Sequence, residues 1–190
     1  MNKLAGHLFY LAGPIDDCKE EKDFIEWRLD ISKFLCSIGA GVVDPCSKPV
    51  VGYNEDENLR VLKRQLKKEK KYDEISKVME DIVSVDLHLL DISSAVILYV
   101  DNDVHMCGSY SEITYSALEK KPAIVFSKNG KENVPDWLFG LLKHDLFFNN
   151  IEEVKEYLHK VNNGKSTPCE DRWRFLDMNK IFGLDEDQNV

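Results

Sequence analysis

Short runs of β-branched and aromatic residues alternate along this chain with longer stretches whose apolar positions recur every three or four residues. That alternation predicts a parallel sheet covered by helices on both faces. His7–Ala12 reads as the first strand, closed by Gly13-Pro14, and Gly41–Asp44 as a short second strand ended by Pro45. Ser94–Val100 and Pro122–Ser127 supply strands three and four, and Leu146–Phe148 a fifth. Asp23–Ile38 places Phe24, Trp27, Ile31, Phe34, Leu35 and Ile38 on one helical stripe that stops at Gly39. Helices are also predicted over Ser109–Glu119, Pro135–Lys143 and Ile151–Val161.

Pro49–Asp91 carries no strand signal and exceeds an ordinary crossover, so it predicts a helical insertion covering one side of the site. Asn58–Lys71 and Asp73–Leu90 read as its two helices, or one kinked helix. Beyond residue 161 the pattern changes. Asn162–Pro168 reads as a linker, Cys169–Gly183 as a short helix, and Leu184–Val190 as a frayed end. The expected organisation is one α/β domain over residues 1–161 and a C-terminal extension over 162–190.

Composition narrows the class. At 190 residues, 43% hydrophobic and 31% charged, the chain has the balance of a globular domain with one well-buried core. Its net charge of −9 argues against nucleic acid as a partner, which requires a basic surface. No apolar run is long enough to cross a bilayer, and the first residues lack a signal-peptide layout, so no membrane association is expected. The five cysteines are odd in number and share no metal-ligand spacing, which predicts free thiols, a cytoplasmic location and no metal site. Arg60–Lys71 concentrates basic residues and reads as a solvated helix face, with a phosphate contact from Arg60, Lys63 or Arg64 as the alternative. Arg28 reads as a surface neighbour of a core Trp27, or as a second phosphate contact.

Three groups of residues carry candidate chemistry. In an open α/β sheet, ligands bind beyond the carboxyl ends of the strands, where loops meet helix N-termini. Strand three runs into an acidic loop with Asp101 and Asp103, then into Gly108-Ser109-Tyr110-Ser111-Glu112 at a helix start. A carboxylate in that first turn would be held ionised by the helix dipole. The same Ser109-x-x-Glu112 also reads as a capping box, in which the Glu only ties off its own helix. Cys107 is a rival nucleophile at the same helix start. The second group is Asp86 and Asp91, interrupting an apolar helix end before strand three. The third is Tyr10-Leu11-Ala12-Gly13-Pro14-Ile15-Asp16-Asp17, where a glycine after the strand would admit a sugar or phosphate close to the backbone. Trp137, Phe139 and Trp173 read as packing groups rather than base-stacking ones.

Together these groups resemble the nucleoside 2-deoxyribosyltransferase family and its nucleotide-hydrolase relatives, from Phe9 to about Leu158. The resemblance rests on Tyr10–Pro14, on Asp86-Leu87-His88-Leu89-Leu90-Asp91, and on Gly108–Glu112 followed by Ser116-Ala117 and Lys121-Pro122-Ala123-Ile124-Val125. It implies a flavodoxin-like, Rossmann-like three-layer fold with a five-stranded parallel sheet ordered 2-1-3-4-5. It implies Glu112 as nucleophile toward an anomeric carbon, with Asp86 or the Asp101/Asp103 pair as base-side acid and Tyr10 fixing Glu112. Gly13, Pro14, Gly108 and Ser109 would then hold sugar hydroxyls or a 5′-phosphate. The implied partners are a nucleoside or nucleotide and a free base, with no cofactor, in a homo-oligomer. The implied reaction is transfer of a 2′-deoxyribosyl group between bases. A nucleoside 5′-monophosphate N-glycosidase and a non-catalytic nucleotide-binding module are the alternatives.

Overall fold

The strands lie at Leu8–Ala12 (β1), Gly41–Val43 (β2), Ala95–Val100 (β3), Ala123–Ser127 (β4) and Phe147–Phe148 (β5), and every pairing is parallel in the order β2-β1-β3-β4-β5. The computed structural model describes residues 2–15, 18, 22–48 and 55–176. Among the described residues six α-helices accompany the sheet: α1 (Lys22–Ser37), α2 (Glu57–Lys68), α3 (Tyr72–Ile92), α4 (Cys107–Leu118), α5 (Asp136–Leu141) and α6 (Ile151–Asn162). The sheet order and layering are those expected from the sequence, and the element limits move by one to three residues.

Side chains of a strand alternate between faces, and both faces here are apolar. Phe9, Leu11, Ala95, Ile97, Ile124 and Phe126 point to one side, where they pack with Ile31 and Leu35 of α1 and Val154 and Leu158 of α6. Tyr10, Ala12, Val96, Leu98, Ala123 and Val125 point to the other, against Leu89 and Leu90 of α3, Ile113 of α4 and Leu138 of α5. Tyr10 is thus the one ionisable group among these sheet positions, and it faces α4. The order makes β1 and β3 neighbours whose chains leave in opposite directions, which opens a crevice at their carboxyl ends.

Two helix ends depart from cap chemistry. α4 begins two residues earlier than predicted, with Met106 at its N-cap and no side-chain cap. Met106 is buried, and its sulfur accepts the Asp101 N–H at 3.3 Å, so burial rather than a Ser cap sets this start. α3 ends on Lys121, whose ammonium donates to the carbonyls of Leu90 (2.7 Å), Asp91 and Ser93 (3.0 Å). That side chain does the work of a C-terminal cap, satisfying carbonyls the helix leaves open.

Past α6, Asn162 accepts the Leu4 N–H at 3.0 Å. The described part of the helix expected over Cys169–Gly183 is a 3-10 segment at Glu170–Leu176; residues 177–190, with the end expected to fray, lie outside the described residues. Trp173 within it is 5% exposed and packs in the α1/α6 core, its indole N–H donating to Tyr157 Oη at 2.8 Å. Tyr157 in turn donates to the Pro168 carbonyl at 2.9 Å. Trp173→Ala should therefore lower unfolding free energy by about 3–5 kcal/mol, read as a shifted urea midpoint with an unchanged slope. A shift under about 1 kcal/mol would mean the segment is not bound to the core.

Candidate active site

Tyr10 sits in the middle of β1, fully buried, and its hydroxyl donates to Glu112 Oε1 at 2.7 Å across 102 residues of chain. Glu112 lies in the second turn of α4, since the helix starts at Cys107 rather than Ser109. Its side chain does not reach back to cap the helix; it crosses to the sheet. The capping-box reading is therefore set aside. The dipole argument weakens too, because the effect fades beyond the first turn.

Glu112, Asp86 and Glu55 line one cavity of about 500 Å³ at the β1/β3 crevice. Its walls come from the turn after β1 (Gly13, Pro14, Ile15), from α3 (Met79, Ile82, Val83), and from the start of α4 (Cys107, Gly108, Ser109). Lys67 of α2 and His105 also reach it. The insertion expected to cover the site supplies α2 and α3. Volume and mixed polarity suit a small molecule with a few polar groups.

The charges are arranged in layers. The Lys48 side chain has no exposed surface, and its ammonium lies 2.8 Å from Asp86 Oδ1 and 3.5 Å from Glu55 Oε1. Lys63 stands 3.9 Å from Glu55 Oε2. The Asp86 contact is close but poorly aligned, so Oδ1 has an ion-pair neighbour without a hydrogen bond. Burial pushes the Asp86 carboxyl up to about 7; Lys48 opposes the rise, while Glu55 and Glu112 add to it. Burial likewise raises Glu112, against the Tyr10 hydrogen bond and the Arg28 and Lys48 charges. The Tyr10 phenol is pushed far up by burial and by the adjacent Glu112 charge, so it stays a donor. Burial thus raises two carboxyl groups of one cavity, Asp86 and Glu112, each with different neighbours, a setting that separates acid and base roles.

Arg28 is a buried structural clamp rather than a surface residue or phosphate contact. Its guanidinium donates to the carbonyls of Leu11 (2.6 Å) and Gly13 (3.1 Å), pairs with Asp44 at 3.3 Å, and stacks on Trp27. Asp44 also accepts the Cys46 N–H at 3.0 Å, capping the turn that leads to Lys48. The ends of β1 and β2 are fixed together in this way. A Cβ on Gly13 would lie 2.7 Å from Trp27 Cζ2, so this glycine makes room for an indole, and it also lines the cavity as expected. Gly108 also borders the cavity and has nothing within 4 Å of its missing Cβ.

Other expectations fall away from the cavity. Asp101 and Asp103 pair with Lys128 at 3.0 and 3.2 Å, and neither lines the cavity. Asp91 is exposed and accepts from Tyr115. Trp137 is 80% exposed rather than packed, and Phe139 stacks edge-on against Phe147. Of the basic run, Arg60 and Lys63 turn inward, Arg60 donating to Glu57 and to the Cys18 carbonyl. Asp16 and Asp17 lie outside the described residues. Lys48 and Glu55 had no local signal; only the return of the chain to α3 brings them to Asp86.

No family model matches this chain, and no curated protein matches it. Among solved structures, a 2-deoxyribosyltransferase from the psychrotolerant bacterium Bacillus psychrosaccharolyticus superposes with a TM-score of 0.52 at 19% identity, over 79% of this chain and 91% of that one. A conserved protein from Enterococcus faecalis V583 gives a TM-score of 0.41 at 14% identity, over 91% of this chain and 98% of that one. The first likeness establishes a shared α/β fold. Among the described residues no helix is long and apolar enough to cross a membrane.

The raised Asp86 carboxyl has a signed consequence for stability. Between about 4, where an unfolded Asp titrates, and about 7, the folded chain keeps a proton that the unfolded chain releases. Stability contributed by this group therefore falls as pH rises through that window. Urea titrations from pH 4 to 8 should show that decline in the wild type and a flatter one in Asp86→Asn; identical slopes would remove Asp86 as its source.

Proposed function

We propose that this chain is an enzyme that breaks the N-glycosidic bond of a 2′-deoxynucleoside and passes the sugar to a second base. The observation that carries the reading is the Tyr10–Glu112 hydrogen bond in the wall of a cavity that Asp86 also lines. The shared fold with a 2-deoxyribosyltransferase supports it. The cavity volume suits a nucleoside.

In this mechanism Tyr10 favours Glu112 as the ionised carboxylate. A Glu112 oxygen attacks C1′ and the bond from C1′ to the base nitrogen breaks. Its electron pair leaves with the base, which takes a proton from the acid form of Asp86. A second base then attacks C1′, loses its proton to Asp86, and frees Glu112. Water in place of the second base gives the free sugar, which is the hydrolase alternative. Asp86, with its carboxyl near 7, retains a proton at the pH where a general acid is needed.

Glu112→Ala should lose essentially all base release while keeping the wild-type melting temperature; release at the wild-type rate would sink the proposal. The assay incubates nucleosides and 5′-monophosphates with and without free adenine or cytosine, read by mass spectrometry. Exchange products identify the transferase, free sugar the hydrolase, and a phosphate requirement the monophosphate glycosidase. Binding with no released base would leave a nucleotide-binding module.

A further inference from the structure

Glu55 enters the cavity wall from outside every motif that pointed to the site. It follows the described turn at Pro45–Ser47, to which its N–H is tied through the Pro45 carbonyl at 3.3 Å. It is 9% exposed, and what it exposes is cavity surface. Its carboxylate is held from behind: Lys48 is 3.5 Å from one oxygen and Lys63 is 3.9 Å from the other. The Lys48 side chain is wholly buried and Lys63 nearly so, so these cations stabilise the charge without facing a ligand. Asp86, beside it on Lys48, keeps an Oδ1 that accepts no hydrogen bond and borders the same cavity. The cavity is further lined by the apolar Pro45, Met79, Ile82 and Val83 and by the polar Lys67, His105 and Ser109.

That arrangement limits what can lie against it. A fixed carboxylate accepts hydrogen bonds and offers none. A carbonyl oxygen placed there would meet like partial charge, whereas an amino group would supply a donor to the carboxylate. Resting on the nucleoside reading above, we propose that Glu55 is the specificity-determining residue of this site and selects bases bearing an exocyclic 4- or 6-amino group, cytosine and adenine, over their oxo counterparts uracil and hypoxanthine. Within each pair the amino donor becomes a carbonyl and the neighbouring ring nitrogen turns from acceptor to N–H donor at nearly constant shape, so the preference reads hydrogen-bond matching at the exocyclic position rather than size. Asp86 works at the leaving nitrogen, and Glu55 reads the base.

The test compares kcat/KM for deoxycytidine against deoxyuridine and deoxyadenosine against deoxyinosine, each also as the 5′-monophosphate. Wild type should favour the amino member by about 100-fold or more, the scale expected where a buried hydrogen-bonding group is left unmatched. Glu55→Gln, whose amide can either donate or accept, should cut the ratio to about 10-fold or less. Glu55→Asp keeps the charge but withdraws it, and should also reduce the ratio if the fold tolerates it; circular dichroism and melting confirm which variants are folded. A purely structural Glu55 would change rates on all substrates together and leave the ratio alone.

Calorimetry of cytosine and uracil on Glu112→Ala separates the two layers of the argument. If wild type releases no base but cytosine binds more tightly than uracil in a Glu55-dependent way, the assignment of Glu55 stands and the reaction fails. Equal handling of amino and oxo partners by wild type, a ratio unchanged in a folded Glu55→Gln, or no binding of either base overturns it.

Discussion

A phenol in the central part of a parallel sheet holds a carboxylate from a helix more than a hundred residues away, and the site is organised around that contact. It exists because β1 and β3 are neighbours in the sheet order. α4 follows β3, so its inner face lies over β1, and the residue of β1 beneath it is Tyr10. Change the strand order and the two groups separate. A buried carboxylate without such a donor would cost several kcal/mol and shed its charge. The hydrogen bond offsets part of that cost and fixes where the carboxyl oxygens point.

The rest of the crevice answers the electrostatic problem this creates. Among the described residues three carboxyl groups border one cavity; Lys48 and Lys63 stand behind its wall, and Lys67 lines it. Lys48 serves two of the acids, Lys63 supports one, and Arg28 acts from the base of the turn after β1. The ligand side therefore presents the carboxyl groups beside apolar side chains and a few donors, Lys67 and Ser109 among them. Removing Lys48 would strand Asp86 and Glu55 together, a larger penalty than the net worth of either pair.

The sheet was legible because period-two and period-3.6 patterns are local: β3 and β4 are continuous apolar runs, and α1 has a clear stripe. Tyr10, Asp86 and Glu112 stood out as a group only through the family resemblance of their motifs; Asp86 and Glu112 line one cavity, and Tyr10 donates to Glu112 behind it. The start of α4 was misplaced because Ser109 has cap chemistry, whereas the true start is fixed by the burial of Met106, which has none. Asp101 and Asp103 misled for a similar reason: acidic loop residues advertise themselves, but their partner Lys128 lies beyond β4. Lys48, Glu55 and Arg28 were illegible as site residues because a single charged side chain carries no mark of burial. Lys48 and Glu55 meet Asp86 and Lys63 only through the tertiary path of α2 and α3, and Arg28 is buried against the ends of β1 and β2.

Trp27 and Gly13 share one volume, the indole filling the space that any larger residue at position 13 would require. Neither position can drift independently: a methyl group at 13 is admissible only alongside a smaller ring or aliphatic residue at 27. That smaller residue would also strip Arg28 of its aromatic platform. The turn after β1 is thus locked by three residues that must change together or not at all, and homologous chains should inherit the trio as a unit.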